Sequence, residues 1–383
     1  MLTKDCDFKE AVKVVVQHIK EHFVKADSIA FSESIDGTRI PKLAQANYRH
    51  KKIFGGAAPD HCIDLPEDDH DGSKVVAILD LFKGDNPEKK LASEVKLGTL
   101  LLQWTPPGIT PFLQVMARPQ TKNQNSSFNF DFADVLKQAE VELREEGYDV
   151  SFISAANDGV LSDHQFVITI QFGFLDGRLS YCAHTDSNHI VKNARYQDIV
   201  RGNAASTIGR YFIDPGLPKR AELPVEIYII KDFASDFLVL DLVSATHVAK
   251  ILDLPNQDHA TKIVTSLTLF FLRVHLFAIN SKGKLSARER IIMLWCSLLF
   301  QLHIDGVSII TKRNWVLECI SMSFLMMRSD VVRPHRLTSK PSEHSFAILH
   351  TMIREFTVSD FVSLIQKLRR FWMAKVRSNL KVV

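Results

Sequence analysis

The spacing of apolar residues divides the chain into a first half of strands and helices and a second half of long helices. Residues 5–25 carry apolar side chains at helical spacing and predict one amphipathic helix. A second helix is predicted over 130–146, where apolar residues recur at i, i+3, i+4, i+7 and i+11. Alternating or continuous apolar runs predict strands at 28–36, 110–119, 150–156 and 179–184. This order is typical of an α/β domain in which helices cover a sheet.

Beyond Val225 the apolar segments are longer and predict helices that pack on each other, at 234–254, 263–279, 288–303 and 314–327. Arg273 and His275 interrupt the second of these segments. The apolar run 291–302 is shorter than the roughly 20 residues that a membrane span needs. We therefore expect buried helices here and no membrane partner.

The composition is that of a soluble globular protein long enough for two or three domains, with 383 residues, 46% hydrophobic and 24% charged. The net charge of +3 is too small to indicate nucleic acid by itself, but the charge is uneven. Acids crowd residues 60–71, and only basic charges follow Asp360. The basic tail predicts nucleic-acid binding or, alternatively, the solvated face of a terminal helix. Its candidate residues are Lys367, Arg369, Arg370, Lys375 and Arg377.

Five scattered cysteines form no CxxC pair, which argues against a zinc ribbon or a disulfide framework and favours a reducing compartment. The charged start has no apolar signal core, so secretion is not expected. The motifs GxxxxGK[ST], GxGxxG, GxSxG and HExxH are absent from the sequence.

Three carboxylates stand out as candidate metal ligands. Asp36 ends the apolar run 28–36, Asp158 follows the strand predicted at 150–156, and each is followed by glycine. Glu343 begins a helical run. Carboxylates suit Mg²⁺, and a pair of divalent ions about 4 Å apart can promote phosphodiester cleavage. Each acid also has a structural explanation, since Asp-Gly favours turns and an acid in a first helical turn is stabilised by the helix dipole.

Several segments together resemble a P-element-type DDE transposase of the ribonuclease H-like superfamily, over roughly residues 28–365. They are SESIDGTRI, KKIFGGAAP, the strand ending in NDG, HTDSNHIVKNAR and SEHSFAILHTMIREFTVSDF. The most specific match is the pattern D-x-x-H-x-x-K-N-x-R at Asp186, His189, Lys192, Asn193 and Arg195. The residues leave open whether Asp186 and His189 bind metal or only hydrogen-bond the neighbouring backbone.

The resemblance implies an α/β fold with a ribonuclease H-like mixed sheet and flanking helices, interrupted by a mostly helical insertion domain. It implies that Asp36, Asp158 and Glu343 are the catalytic, metal-binding residues, with Mg²⁺ or Mn²⁺ as cofactor. DNA is the implied partner, a homo-oligomer is possible in principle, and the expected location is intracellular, in the nucleus.

The domain organisation expected from this resemblance has four parts. Residues 1–27 form an N-terminal helix, and 28–200 form the core with an exposed insertion at about 57–100. Residues 201–335 form the helical insertion domain. Residues 336–383 hold the final core helix, which carries the glutamate, and the basic tail.

The chain also departs from the family pattern. Lys340 stands where the family has a further acid, and His350 stands where it has an arginine. The long spacing between Asp36 and Asp158 makes Asp80 a competing first carboxylate. Only 35 residues precede Asp36, too few for the family's zinc-containing DNA-binding module. Two functions are therefore open: metal-dependent DNA strand cleavage and transfer, or a catalytically inactive, domesticated remnant that binds nucleic acid or protein.

Overall fold

A computed structural model describes thirteen stretches of the chain: residues 8–57, 62–68, 71–82, 91–121, 125–157, 173–175, 178–186, 189–192, 236–255, 259–281, 285–303, 309–328 and 332–380. Two compact units divide the chain. The first comprises Met1–Ala183 with Ser339–Val383, and the second comprises His184–Thr338. The predicted helical insertion, 201–335, falls inside the second unit.

The first unit contains nine strands and five helices within the described residues. Before the second unit these are α1 (Phe8–His22), β1 (Ser28–Arg39), β2 (Gln45–Asn47), β3 (Lys52–Phe54), β4 (Cys62–Asp64), α2 (Ser73–Asp80), β5 (Glu94–Leu102), β6 (Phe112–Gln120), α3 (Asn125–Glu145), β7 (Asp149–Asn157), β8 (Gly173–Leu175) and β9 (Arg178–Thr185). After the second unit come α9 (Lys340–Met352) and α10 (Val358–Leu380).

Helices make up the described elements of the second unit. They are α4 (Asp236–Leu242), α5 (Ala245–Leu252), α6 (His259–Asn280), α7 (Ala287–His303), α8 (Ile309–Arg328) and a 3-10 turn (Pro334–Arg336). Helix α6 packs antiparallel to α7, and α7 packs antiparallel to α8. The predicted helix 234–254 is two helices, because Ser244 starts α5 by accepting a hydrogen bond from the His247 backbone.

The main sheet has six strands in the order β6-β5-β1-β7-β9-β8. Strand β1 lies inside it, antiparallel to β5 and parallel to β7, so the sheet is mixed. This confirms the predicted α/β class. A separate three-stranded sheet has the order β2-β3-β4.

Helices cover both faces of the main sheet within the first unit. On one face α3 approaches the strands closely, since a Cβ built on Gly98 of β5 would lie 2.8 Å from the ring of Phe132. On the other face Leu97 shares a buried core with Phe346 of α9 and Phe361 of α10. Alternate residues of β5 therefore face different helices, as strand geometry requires.

Strand β5 corrects the predicted insertion at 57–100. Its residues from Glu94 onward pair with β1 along the strand, from Arg39 opposite Glu94 to Phe31 opposite Leu102. The apolar run that begins there is part of the central sheet, so the insertion ends before Glu94.

Helix α6 contains the one stretch in the described part of the chain that is long and apolar enough to cross a membrane, Lys262–Asn280. Half of this stretch is buried inside the protein. Its buried residues include Leu269, Leu272 and Leu276. This agrees with the prediction of a packed helix, since a buried core helix has the same composition.

Helix α1 contains a histidine that makes the first unit sensitive to acid. Burial, together with the neighbouring His22, lowers the pKa of His18 from its ordinary value of 6.5 to about 4. Between these two values the unfolded chain binds the proton and the folded chain does not. The stabilisation is therefore complete above pH 6.5 and is lost as the pH falls toward 4.

We expect the free energy of unfolding to fall by about 2 kcal/mol between pH 7 and pH 5 because of His18. Urea unfolding at the two pH values measures this change. His18→Gln should remove most of it, whereas His344→Gln, at an exposed position, should leave it unchanged. An equal loss of stability in the wild type and in His18→Gln would contradict the assignment.

Candidate metal centre

Strand β1 presents a row of polar side chains to helix α9. The Ser34 and Ser342 hydroxyl oxygens lie 3.0 Å apart, and Ser342 donates to the Thr99 hydroxyl at 2.9 Å. Further along, the Thr38 hydroxyl lies 3.1 Å from His350 Nε2. Ser342 is in the first turn of α9 and His350 in its last, so the helix runs alongside the strand.

Asp36 lies on this same face of β1, between Ser34 and Thr38. Side chains two residues apart on a strand share a face. The partner of Asp36 across the strand pair is Leu97, which belongs to the core that contains Phe346. Asp36 is therefore beside the middle of α9, and it is partly buried.

Glu343 lies in the first turn of α9, where the positive end of the helix dipole stabilises a carboxylate. Ser339, at the start of the helix, donates a hydrogen bond of 2.7 Å to Glu343 Oε1. Pro341 follows in the first turn, a position that lacks a backbone hydrogen-bond partner anyway. Glu343 is thus a partly buried carboxylate with a fixed orientation.

Asp186 follows β9 directly and is almost fully buried, with 1% of its surface exposed. Thr338 donates a hydrogen bond of 2.6 Å to Asp186 Oδ2, a short distance typical of a charged acceptor. His189 lies in the helical segment 189–192 and is partly buried. Thr338 and Ser339 are consecutive, so neighbouring residues of the chain orient the carboxylates of Asp186 and Glu343.

Asp186 and His189 of the second unit and Glu343 of the first unit carry side chains that commonly bind metal ions. Two carboxylates and an imidazole suit a divalent ion. Carboxylates favour Mg²⁺ or Mn²⁺, and the imidazole makes the set softer than an all-oxygen site. We therefore expect Mn²⁺ to bind more tightly than Mg²⁺.

The three predicted catalytic acids have different outcomes. Asp36 and Glu343 both lie in the first unit, Asp36 within β1 and Glu343 in the first turn of α9. Asp158 lies outside the described residues, as do Asn193 and Arg195 of the D-x-x-H-x-x-K-N-x-R pattern, whereas Lys192 is described and buried. The competing acid Asp80 is at the exposed end of helix α2 and not on a strand.

The predicted basic tail is part of helix α10. Lys367 and Arg370 are exposed on it, whereas Arg369 is partly buried and donates a hydrogen bond of 2.8 Å to the Gln114 carbonyl. The side chains of Lys375 and Arg377 lie outside the described residues. Arg369 therefore contributes to the fold of the first unit as well as to the charge of its surface.

The sequence did not identify Asp186 and His189 as metal ligands. The sequence assigned the pair to a motif and left its role open. The signal that could have identified it is the D-x-x-H spacing, which places an acid just before a helical turn and an imidazole inside it.

No family model matches the chain, and no curated protein matches it in sequence. Among solved structures it is similar to the Drosophila P element transposase strand transfer complex, with a TM-score of 0.62. The match covers 94% of this chain and 80% of that one, at 12% identity. The chain has a transposase-like fold. The match therefore includes residues of both units.

Proposed function

We propose that this protein derives its function from a P-element-type transposase and cleaves and joins DNA strands with a divalent metal ion. The observation that carries the proposal is the transposase-like fold. Asp186, His189 and Glu343 are the group of proposed metal ligands, because a hydrogen bond orients each of the two carboxylates. The neighbour was solved as a strand transfer complex, which supports DNA as the partner of this chain.

The residues of the group are suited to this role because two of them are held in place. Thr338 orients Asp186, and Ser339 orients Glu343. Such supporting hydrogen bonds typically change metal affinity or activity by about 10–100-fold. When bound, divalent ions would activate the attacking water or 3′-hydroxyl and would stabilise the leaving oxygen.

Asp36 and Asp158 complete the proposed site as the acids predicted from the sequence. Asp36 faces α9, as Ser34 and Thr38 do, and Ser34 and Thr38 contact that helix directly. Asp158 follows β7 in the sequence, and β7 pairs with β1 in parallel. Both acids are proposed as further metal ligands, so Asp36→Asn and Asp158→Asn should each weaken Mn²⁺ binding in the assay below.

The experiment measures Mn²⁺ binding by calorimetry and the nicking of a labelled DNA duplex with Mn²⁺ or Mg²⁺. We expect Asp186→Asn and Glu343→Gln each to weaken Mn²⁺ binding and to lower nicking by at least about 100-fold, since each removes a ligand and not merely its support. The matched control is Glu355→Gln, an exposed acid just after α9. Unchanged Mn²⁺ affinity in both variants would overturn the assignment of the group.

A second candidate function, an inactive remnant that binds DNA or protein, is favoured by the residues around Glu343. Ser32 and Ser34 lie on the face of β1 that packs against α9, and both are buried. Ser32 accepts a hydrogen bond of 3.1 Å from Gln103. Lys340 stands in the first turn of α9, where an acid was expected.

The same assay separates the two functions. DNA binding without nicking in either metal would support the remnant. Such binding should weaken steeply with salt, because phosphate contacts release counterions. It should also weaken when the exposed Lys367 and Arg370 are both changed to glutamine. Nicking that depends on Asp186 and Glu343 would exclude the remnant.

A further inference from the structure

A cavity of about 370 Å³ lies in the first unit, where α10 crosses β3, β5 and β6. Six buried apolar residues contribute to its lining: Phe54, Leu97, Val115, Met116, Ala117 and Phe361. This volume is at the lower end of the range for small-molecule sites, which bury an apolar ligand body and fix it with a few polar groups. Asp36 and Glu343, the described candidate metal ligands of this unit, do not line the cavity.

Three of the five polar residues in the lining are basic, and the other two are Gln114 and Gln366. His50, Lys52 and Arg369 all face the cavity, and its described lining contains no carboxylate. The Nε2 atom of His50 is buried without a hydrogen-bond partner. The Lys52 ammonium lies 3.4 Å from Asp64, whose side chain is 76% exposed. That ion pair is weak because water screens it.

Arg369 is partly buried. Its Nη2 donates a hydrogen bond of 2.8 Å to the Gln114 carbonyl, which fixes the plane of the guanidinium. Burial lowers the pKa of Arg369 from its ordinary value, although an arginine stays cationic in a protein. An anion beside a desolvated guanidinium forms a strong, charge-assisted hydrogen bond.

We propose that this cavity binds a small amphiphilic anion, with its apolar body on the buried floor and a carboxylate or phosphate head against Lys52 and Arg369. A neutral apolar ligand would leave His50 Nε2 without a partner and would gain nothing from the two cations. An inorganic anion would leave the apolar floor uncovered. Only a ligand with an apolar body and an anionic head matches both the apolar floor and the cationic groups of the cavity. The site is independent of the proposed metal-dependent function.

The test uses isothermal titration calorimetry on the full chain with four probes. Octanoate has an aliphatic body and a carboxylate, and adenosine monophosphate has an aromatic body and a phosphate. 1-Octanol provides the body without the charge, and inorganic phosphate provides the charge without the body. We expect octanoate or adenosine monophosphate to bind at least about tenfold more tightly than either partial probe. Whichever of the two binds more tightly shows whether the ligand is a carboxylate with an aliphatic body or a phosphate with an aromatic body.

Two variants locate the binding in this cavity. Lys52→Gln should weaken the anion about tenfold, and Ile365→Trp should abolish binding by filling the cavity that Ile365 lines. The matched control is Lys367→Gln. It removes a charge from α10, the helix that contains Ile365, at a position outside the cavity. Urea unfolding of each variant confirms that it folds. Absence of binding by both amphiphilic anions, equal affinity for 1-octanol, or equal weakening in Lys367→Gln would overturn the proposal.

Discussion

Glu318→Ala is expected to lower the free energy of unfolding of the helical unit by about 3–5 kcal/mol. Glu318 of α8 and His275 of α6 are both fully buried. Glu318 Oε2 lies 3.0 Å from His275 Nε2, within ion-pair distance but not aligned for a hydrogen bond. The His275 ring also lies 4.5 Å from the Trp315 ring. Truncating the glutamate leaves the imidazole buried among apolar groups, and removal of one member of a buried pair is far more costly than replacement of both.

The charge of Glu318 also affects the thiol of the next residue, Cys319. Burial, and after it the Glu318 charge, raises the pKa of Cys319, which therefore stays a thiol and donates to the Leu294 carbonyl at 3.5 Å. The pair thus lies in a dry region where three helices meet, since Leu294 belongs to α7. An unpaired polar group in such a region has no water to compensate it.

Urea unfolding, followed by hydrogen exchange in α6 and α8, measures the effect of Glu318→Ala. The double variant His275→Leu with Glu318→Leu should recover most of the loss, because it replaces the pair by apolar side chains. The control is Asp253→Ala, an exposed acid of the same unit. If Glu318→Ala costs no more than this control, the pair does not stabilise the unit.

The sequence predicted the helices of this pair but not the pair itself. The apolar runs at 263–279 and 314–327 correspond to α6 and α8. His275 counted only as an interruption of an apolar run, because no local pattern links it to a glutamate 43 residues away. Periodicity reports which side of a helix is buried, and it does not report which polar residues meet there.

The strand that carries Asp36 shows a similar limit. The Asp-Gly pair predicted that β1 ends at Asp36, yet β1 continues to Arg39. Pairing with β5 extends it, and the turn propensity of Asp-Gly does not overcome a complete ladder of hydrogen bonds. Asp36 is therefore inside a strand. The sequence could not show this, because β5 lay in a segment interpreted as an insertion.

The sequence analysis identified the candidate metal ligands but did not predict their arrangement. Glu343 and the pair of Asp186 and His189 were singled out in two separate motifs. Their supports, Thr338 and Ser339, carried no signal of their own, since serine and threonine are common before helices. No local pattern links residues so distant along the chain, so the sequence alone could not show how they are arranged.

Phe361→Ala is expected to destabilise the first unit by about 3–5 kcal/mol, the usual cost of truncating a buried phenylalanine. Phe361 of α10 is fully buried. Its ring lies 6.3 Å from that of Phe346 and 6.1 Å from that of Phe356. Phe346 is in α9, three residues after Glu343, so this cluster packs α10 against the helix that carries the glutamate.

The matched control is Phe371→Ala, ten residues further along the same helix, where the ring is 43% exposed. Urea unfolding should separate the two variants by several kcal/mol, because the exposed ring leaves little buried area to lose. The Mn²⁺ affinity should also fall in Phe361→Ala and not in Phe371→Ala, since α9 then loses part of the packing that holds Glu343 in place. Equal stability of the two variants would show that the aromatic cluster does not support α9. Loss of stability with unchanged Mn²⁺ affinity would show that the hydrogen bond from Ser339 is enough to position the glutamate.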